Sequence, residues 1–362
     1  MLYHFLYPLS KYSIVFNVLK YITFRSGCAF VTSFLLTFIL WKQFKKMKFF
    51  DKFGFYEKID MYGHPHLESL YKDKKGTPTM GGLIIIISVI TSVFTWMRWN
   101  IGLSWYTLIV MLFLAGVGFR DDLLKIKKGK GLSRGVKLAS QVFIGIVVGL
   151  IIYIRKDIST RIDLPFFKKI VIDLGYFYIF WASLIIVATS NAVNFTDGLD
   201  GLAIGGIISS SLVFAILSYV CGNIKFSHYL FIPYIKNAGE LTILCASILG
   251  ASLGFLWYNC YPAEVFMGDT GALSLGGLLG AVALFIKKEF LLIICGGVFV
   301  VEALSVVLQI GSVKLRGKKM FRAAPLHHHF QIRGIPEAKI IVRFWIIYAI
   351  LAVVALLTLK LR

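Results

Sequence analysis

Charge is scarce in this chain: of its 362 residues only 16% are Asp, Glu, Lys or Arg, and just 18 are acidic. So little charge excludes a disordered polymer, which stays expanded by low hydrophobicity and high charge. Cysteine is also sparse, at Cys28, Cys221, Cys245, Cys260 and Cys295. An odd set without Cys-x-x-Cys spacing excludes a disulfide framework and a cysteine metal centre, and reads as small core residues. The eight prolines all fall outside the long apolar runs, so proline-broken helices at mid-membrane are not indicated. Residues 1–24 lack a signal-peptide layout, because Lys11 and Lys20 interrupt them and no small-residue cleavage site closes them. Residues 1–25 are expected to lie as an interfacial segment.

What the chain has is apolar surface. Hydrophobic residues make up 58%, against roughly 45–50% in soluble domains, and the mean hydropathy is +0.78. Ten apolar segments, 26–41, 80–97, 105–119, 138–154, 176–193, 202–221, 241–258, 271–286, 290–311 and 341–359, approach bilayer length. With no alternation that suggests a barrel, the expected class is all-α, a polytopic membrane protein of about ten transmembrane helices forming one domain over 26–362. Loop 155–175 carries β-branched stretches around Pro165 and predicts a small hairpin. Loops after the odd-numbered segments hold 23 lysines and arginines against 10 in the others, which makes the odd loops cytoplasmic. Twelve of the acids share that face, so the chemistry is expected there.

Five loops carry it. The first ends in Lys74-Lys75-Gly76-Thr77-Pro78-Thr79-Met80-Gly81-Gly82, whose lysines and backbone N–H groups suit an anion; His64 and His66 upstream have no such company. The second opens with Asp121-Asp122 and continues through Lys125 to Lys137. Adjacent carboxylates repel and point about 100° apart on a helix, so one is expected to face a cation and the other a base such as Lys125. The third, Asn191 to Gly201, contains Asn194, Asp197 and Asp200 without a basic residue; a helix there would put both acids on one face. The fourth runs from Asn259 through Glu264 and Phe266 to Asp269 between two glycines, where a carboxylate reads as a hard-cation ligand and Glu264 as a solvated charge. The fifth holds Ala324-Pro325-Leu326-His327-His328-His329. Three consecutive histidines on a helix cannot meet one centre, which favours phosphate contact and proton handling over zinc. Within the apolar segments, Glu302 and Gln309 share a face and read as interhelical hydrogen-bonding groups.

Several carboxylates, many lysines, histidines and no Ser-His-Asp or Cys-His set make a phosphoryl-transfer inventory, in which a divalent cation and lysines hold two anionic reactants together. The net charge of +21 could also suit nucleic acid, but the basic stretches lie among carboxylates and no reading module is present, so no nucleic-acid partner is expected. An anionic lipid or nucleotide transporter would need charges near mid-membrane, where Glu302 stands nearly alone.

The stretches GTPTMGG, GFRDD, NAVNFTDGLDGLA, EVFMGDTGA, APLHHHF and VRFWII resemble, in order and from about residue 70 to the end, the bacterial phospho-N-acetylmuramoyl-pentapeptide transferase family. APLHHHF favours that family over relatives that transfer N-acetylglucosamine 1-phosphate. The resemblance implies Mg²⁺-dependent transfer from UDP-N-acetylmuramoyl-pentapeptide to undecaprenyl phosphate at the cytoplasmic face of the bacterial inner membrane, giving lipid I and UMP. It admits a homodimer, and both direct attack and a phospho-aspartate route. By resemblance Asp269 is the Mg²⁺ ligand, Asp121, with Asp122 beside it, handles the lipid phosphate, and His327 supports the phosphates. Lys74, Thr79, Lys125, Lys137, Asn194, Asp197, Asp200, Asn259, Phe266, Gln309, Ala324 and His328 match substrate-pocket positions. One departure is Ala272, where the family usually has Ser; Ser274, two residues on, is the expected substitute.

Overall fold

The computed structural model describes residues 1–56, 74, 76–155, 157–163 and 171–360. Each apolar run becomes a helix, the form that satisfies the backbone within one segment: α1 (Ile22–Lys46), α2 (Gly82–Trp96), α3 (Gly102–Lys128), α4 (Arg134–Ile154), α5 (Tyr178–Thr196), α6 (Leu202–Cys221), α7 (Gly239–Asn259), α8 (Gly268–Phe285), α9 (Glu289–Cys295), α10 (Gly297–Arg316), α11 (Leu326–Ile332) and α12 (Glu337–Leu357). Among the described residues nine helices are long and apolar enough to cross a membrane, and α2 is a shorter apolar helix of 15 residues. The run expected over 290–311 divides at Gly296 into α9 and α10. Residues 1–20 form three short helical turns. The expected hairpin is present as antiparallel β1 (Arg161–Asp163) and β2 (Val171–Asp173); Pro165 lies outside the described residues.

Helix α8 is the axis. Every residue from Asp269 to Phe285 is buried, with α3, α5 and α2 around it, while α1 packs on α7 and α4 on α5. In contrast α10 buries only Val298, Phe299, Glu302 and Ser305. An apolar cavity of about 570 Å³ opens between α5 and the α9–α10 pair, floored by Gly276 and Leu279 of α8. Three of the cysteines are buried, as core residues should be, but Cys260 is exposed.

A buried ion pair fastens the end of the bundle remote from Asp269. Arg25 of α1 reaches both carboxylate oxygens of Glu240 on α7, at 2.5 and 2.8 Å, and donates to Trp96 O. Sequence reading passed over this pair, because each partner alone looks like an ordinary helix-end charge.

Candidate active site

The site forms where α3, α4, α5 and α8 end together. Asp121 and Asp122 close the polar end of α3, and Asp269 sits in the first turn of α8. Gly268 has φ +74, a backbone state that favours glycine and lets the chain turn abruptly into α8. Ligand oxygens of Asp121, Asp122 and Asp269 all lie within 4.8 Å of one another, and all three residues are buried.

The two adjacent acids do different jobs, as their angular separation predicts. Asp122 faces α8, accepting from Asp269 N at 3.1 Å, Thr270 N at 2.9 Å and Thr270 Oγ1 at 2.6 Å. It therefore satisfies orphan N–H groups at a helix N-terminus. Asp121 faces the lysines: Lys125 and Lys137 each stand 3.1 Å away, and Leu132 N donates at 2.6 Å. The same lysines reach across to Asp269, Lys125 at 3.0 Å and Lys137 closer still, and Asn194 of α5 donates to Asp269 at 2.9 Å. Two ammonium groups thus balance two of three carboxylates. The oxygen-only donor set and the remaining negative charge fit a hard divalent cation.

A second cluster lies beside it. Lys74 binds Asp200 and Glu337, each at 2.6 Å, and Asp200 also accepts from Ala263 N at 3.0 Å. Glu337, in the first turn of α12 and bonded to Asp200 N, was missed by sequence reading. Its signal was an acid directly after Pro336 at a helix start. Asn259 ties the third and fourth loops, accepting from Gly201 N at 3.1 Å and donating to Val265 O at 2.7 Å. Helix α5 ends at Thr196 with Asp197 as its cap, so the helical continuation that would align Asp197 with Asp200 does not form; Gly201, at φ +77, turns the chain instead.

The Gly-rich segment also departs from expectation. Gly81 N donates to Phe266 O, Gly82 N to Met267 O and Thr79 N to Phe55 O, all at 2.9 Å. The two glycine N–H groups brace the fourth loop and Thr79 N holds the Phe55 segment, so none of the three is open to an anion. Thr79 is buried, Phe266 half-buried. Lys75, His64 and His66 lie outside the described residues.

The histidines diverge as the helix argument requires. His327 is fully buried and its Nδ1 lies 3.2 Å from Glu302; His328 Nδ1 pairs with Gln331 at 2.8 Å; His329 Nδ1 accepts from Arg322 N at 3.2 Å. Burial, then the charges of Arg333 and Arg322, hold the His329 pKa below the ordinary histidine value, so that ring stays neutral at neutral pH. Gln309 spends its amide on the backbone of Met320 and Phe321 near half-buried Ala324. Glu264 is the exposed charge expected, paired with Lys45. Ala272 is wholly buried, and Ser274 does not substitute for a site hydroxyl, because it donates to Thr270 O and Gly271 O of its own helix.

The cavity and this centre share helix α5. Asn191 and Phe195 of α5 line it, and Asn194 between them touches Asp269.

The chain is also similar to known proteins. A family profile for "Glycosyl transferase family 4" matches residues 104–287, and the "Phospho-N-acetylmuramoyl-pentapeptide-transferase signature 1" matches residues 74–86. Proteins named phospho-N-acetylmuramoyl-pentapeptide-transferase from Citrifermentans bemidjiense, Thermodesulfovibrio yellowstonii and Desulfovibrio desulfuricans are 48%, 50% and 45% identical, each over 100% of both chains. With identity of that order along its whole length, the chain belongs to the phospho-N-acetylmuramoyl-pentapeptide-transferase family.

Proposed function

We propose that the protein transfers phospho-N-acetylmuramoyl-pentapeptide from its UDP-activated form to undecaprenyl phosphate, with Mg²⁺ as the cation, at the cytoplasmic face of a bacterial inner membrane. The observation that carries this reading is the Asp121–Asp122–Asp269 cluster with Lys125 and Lys137, joined through α5 to an apolar cavity, since Asn191 and Phe195 line the cavity and Asn194 donates to Asp269. A lipid phosphate needs both: cations for its head and a greasy trench for its tail.

An acceptor phosphate oxygen attacks the sugar-bearing β-phosphorus, the α–β phosphoanhydride breaks, and UMP leaves with the bridging oxygen. One phosphoanhydride is made for one broken, so the reaction runs readily in both directions. Asp269, with Asp121 and Asp122 adjacent, would hold Mg²⁺, whose charge would let the two anions approach. Lys125 and Lys137 bind the phosphoryl oxygens, and Asp121 positions the acceptor phosphate and takes its proton. Lysine-rich loops on the same face support the cytoplasmic orientation.

The test supplies detergent-solubilised protein with both substrates, with each alone, and with UDP-N-acetylglucosamine as donor. UMP is expected only with the muramoyl donor and the lipid phosphate together. Release from UDP-N-acetylglucosamine at an equal rate would move the chain's activity to the related transferases.

A further inference from the structure

Glu302 is a buried carboxylate that the mechanism does not use. It is fully buried on α10, which among the described helices long enough to cross a membrane buries the fewest positions. It accepts from the backbone N of His327 at 3.1 Å and faces His327 Nδ1 at 3.2 Å. The other ring nitrogen, Nε2, is buried and has no hydrogen-bond partner among the described residues. It lies against Gly198, where an added Cβ would come within 2.3 Å of it. Gly198 belongs to the turn that carries Asp197 and Asp200.

We propose that Glu302 is a positioning residue for His327, holding the proton on Nδ1 so that the Nε2 lone pair points at the Asp197–Gly201 turn. A carboxylate behind an imidazole fixes its tautomer and raises the basicity of the far nitrogen. The bond to the His327 backbone adds direction, because it pins the first turn of α11 as well as the ring. His328 and His329 pair differently among the described residues, with Gln331 and the Arg322 backbone. An unpaired buried nitrogen is costly unless a ligand completes it, and a substrate N–H or O–H entering beside Gly198 would do so. That last step rests on the transferase reading; the tautomer does not.

Two measurements test the proposal. In ¹⁵N-histidine-labelled protein without substrate, with His327→Asn used to assign the signal, wild-type His327 is expected to be protonated at Nδ1 and bare at Nε2. A ring protonated at Nε2 would overturn the proposal, and this needs no Glu302 variant to fold. The second is a double-mutant cycle on UMP release. Glu302→Gln is expected to lower kcat about 10–100-fold, the usual cost of losing such a partner, with KM within about twofold, and to cost nothing more in the His327→Asn background. An equal loss in both backgrounds, or an unchanged kcat, would overturn the positioning role. No UMP from wild type alongside an Nδ1-protonated His327 would sink the transferase reading and leave the pair standing.

Discussion

Asp121 and Asp122 are neighbours in sequence with opposite duties, and their substitutions should separate. Asp122→Ala removes the acceptor for three donors in the first turn of α8, so a stability loss of roughly 1–3 kcal/mol is expected. A lower thermal midpoint in detergent would register it. Asp121→Asn keeps the packing and should leave the midpoint within a degree or two while abolishing turnover. Gly198→Ala gives the opposite kind of effect, forcing a methyl against His327 Nε2; at least tenfold loss of kcat is expected. The residues themselves were legible in the sequence, because carboxylates and lysines at helix ends stand out against an apolar background. Their partners were not. Nothing local to Asp122 says that its acceptors serve α8, and nothing local to Glu302 says that a histidine 25 positions on closes upon it.

At the scale of elements, α10 forms one wall of the cavity. Ala303 and Val300 line it from one side, Ala188 and Val187 of α5 from the other. Replacing Ala303 with Phe should fill the space and raise KM for the lipid phosphate at least fivefold, with KM for the UDP donor unchanged; a rise in both alike would remove the cavity from the account. Hydropathy located all ten apolar elements and missed only their joints. Gly296 divides what reads as one run, since composition is apolar on both sides of it. Segment 78–82 reads as a phosphate loop from its glycines, yet its N–H groups pair with Phe266 and Met267, because a distant loop competes successfully for them. Turn residues likewise end α5 before Asp197 can share a helical face with Asp200.

The whole molecule divides its labour between two ends. At one, charges that need a cation and substrates gather around Asp269; at the other, Arg25 and Glu240 neutralise each other with almost no exposure. Helix α7 runs from Gly239, beside Glu240, to Asn259, 21 residues in all, so the two ends lie about 30 Å apart. Removing one partner of a buried pair costs about 3–5 kcal/mol. Glu240→Ala should therefore lower the thermal midpoint sharply, yet leave kcat near wild type at temperatures where the variant is folded. The most direct test of the central claim is UMP release across a Mg²⁺ titration for wild-type protein and Asp269→Asn. Wild type should be silent without the cation and saturate as it is added, while Asp269→Asn should stay below a hundredth of that rate at every concentration. Equal rates for the two proteins, or full activity of wild type in excess chelator, would contradict the account.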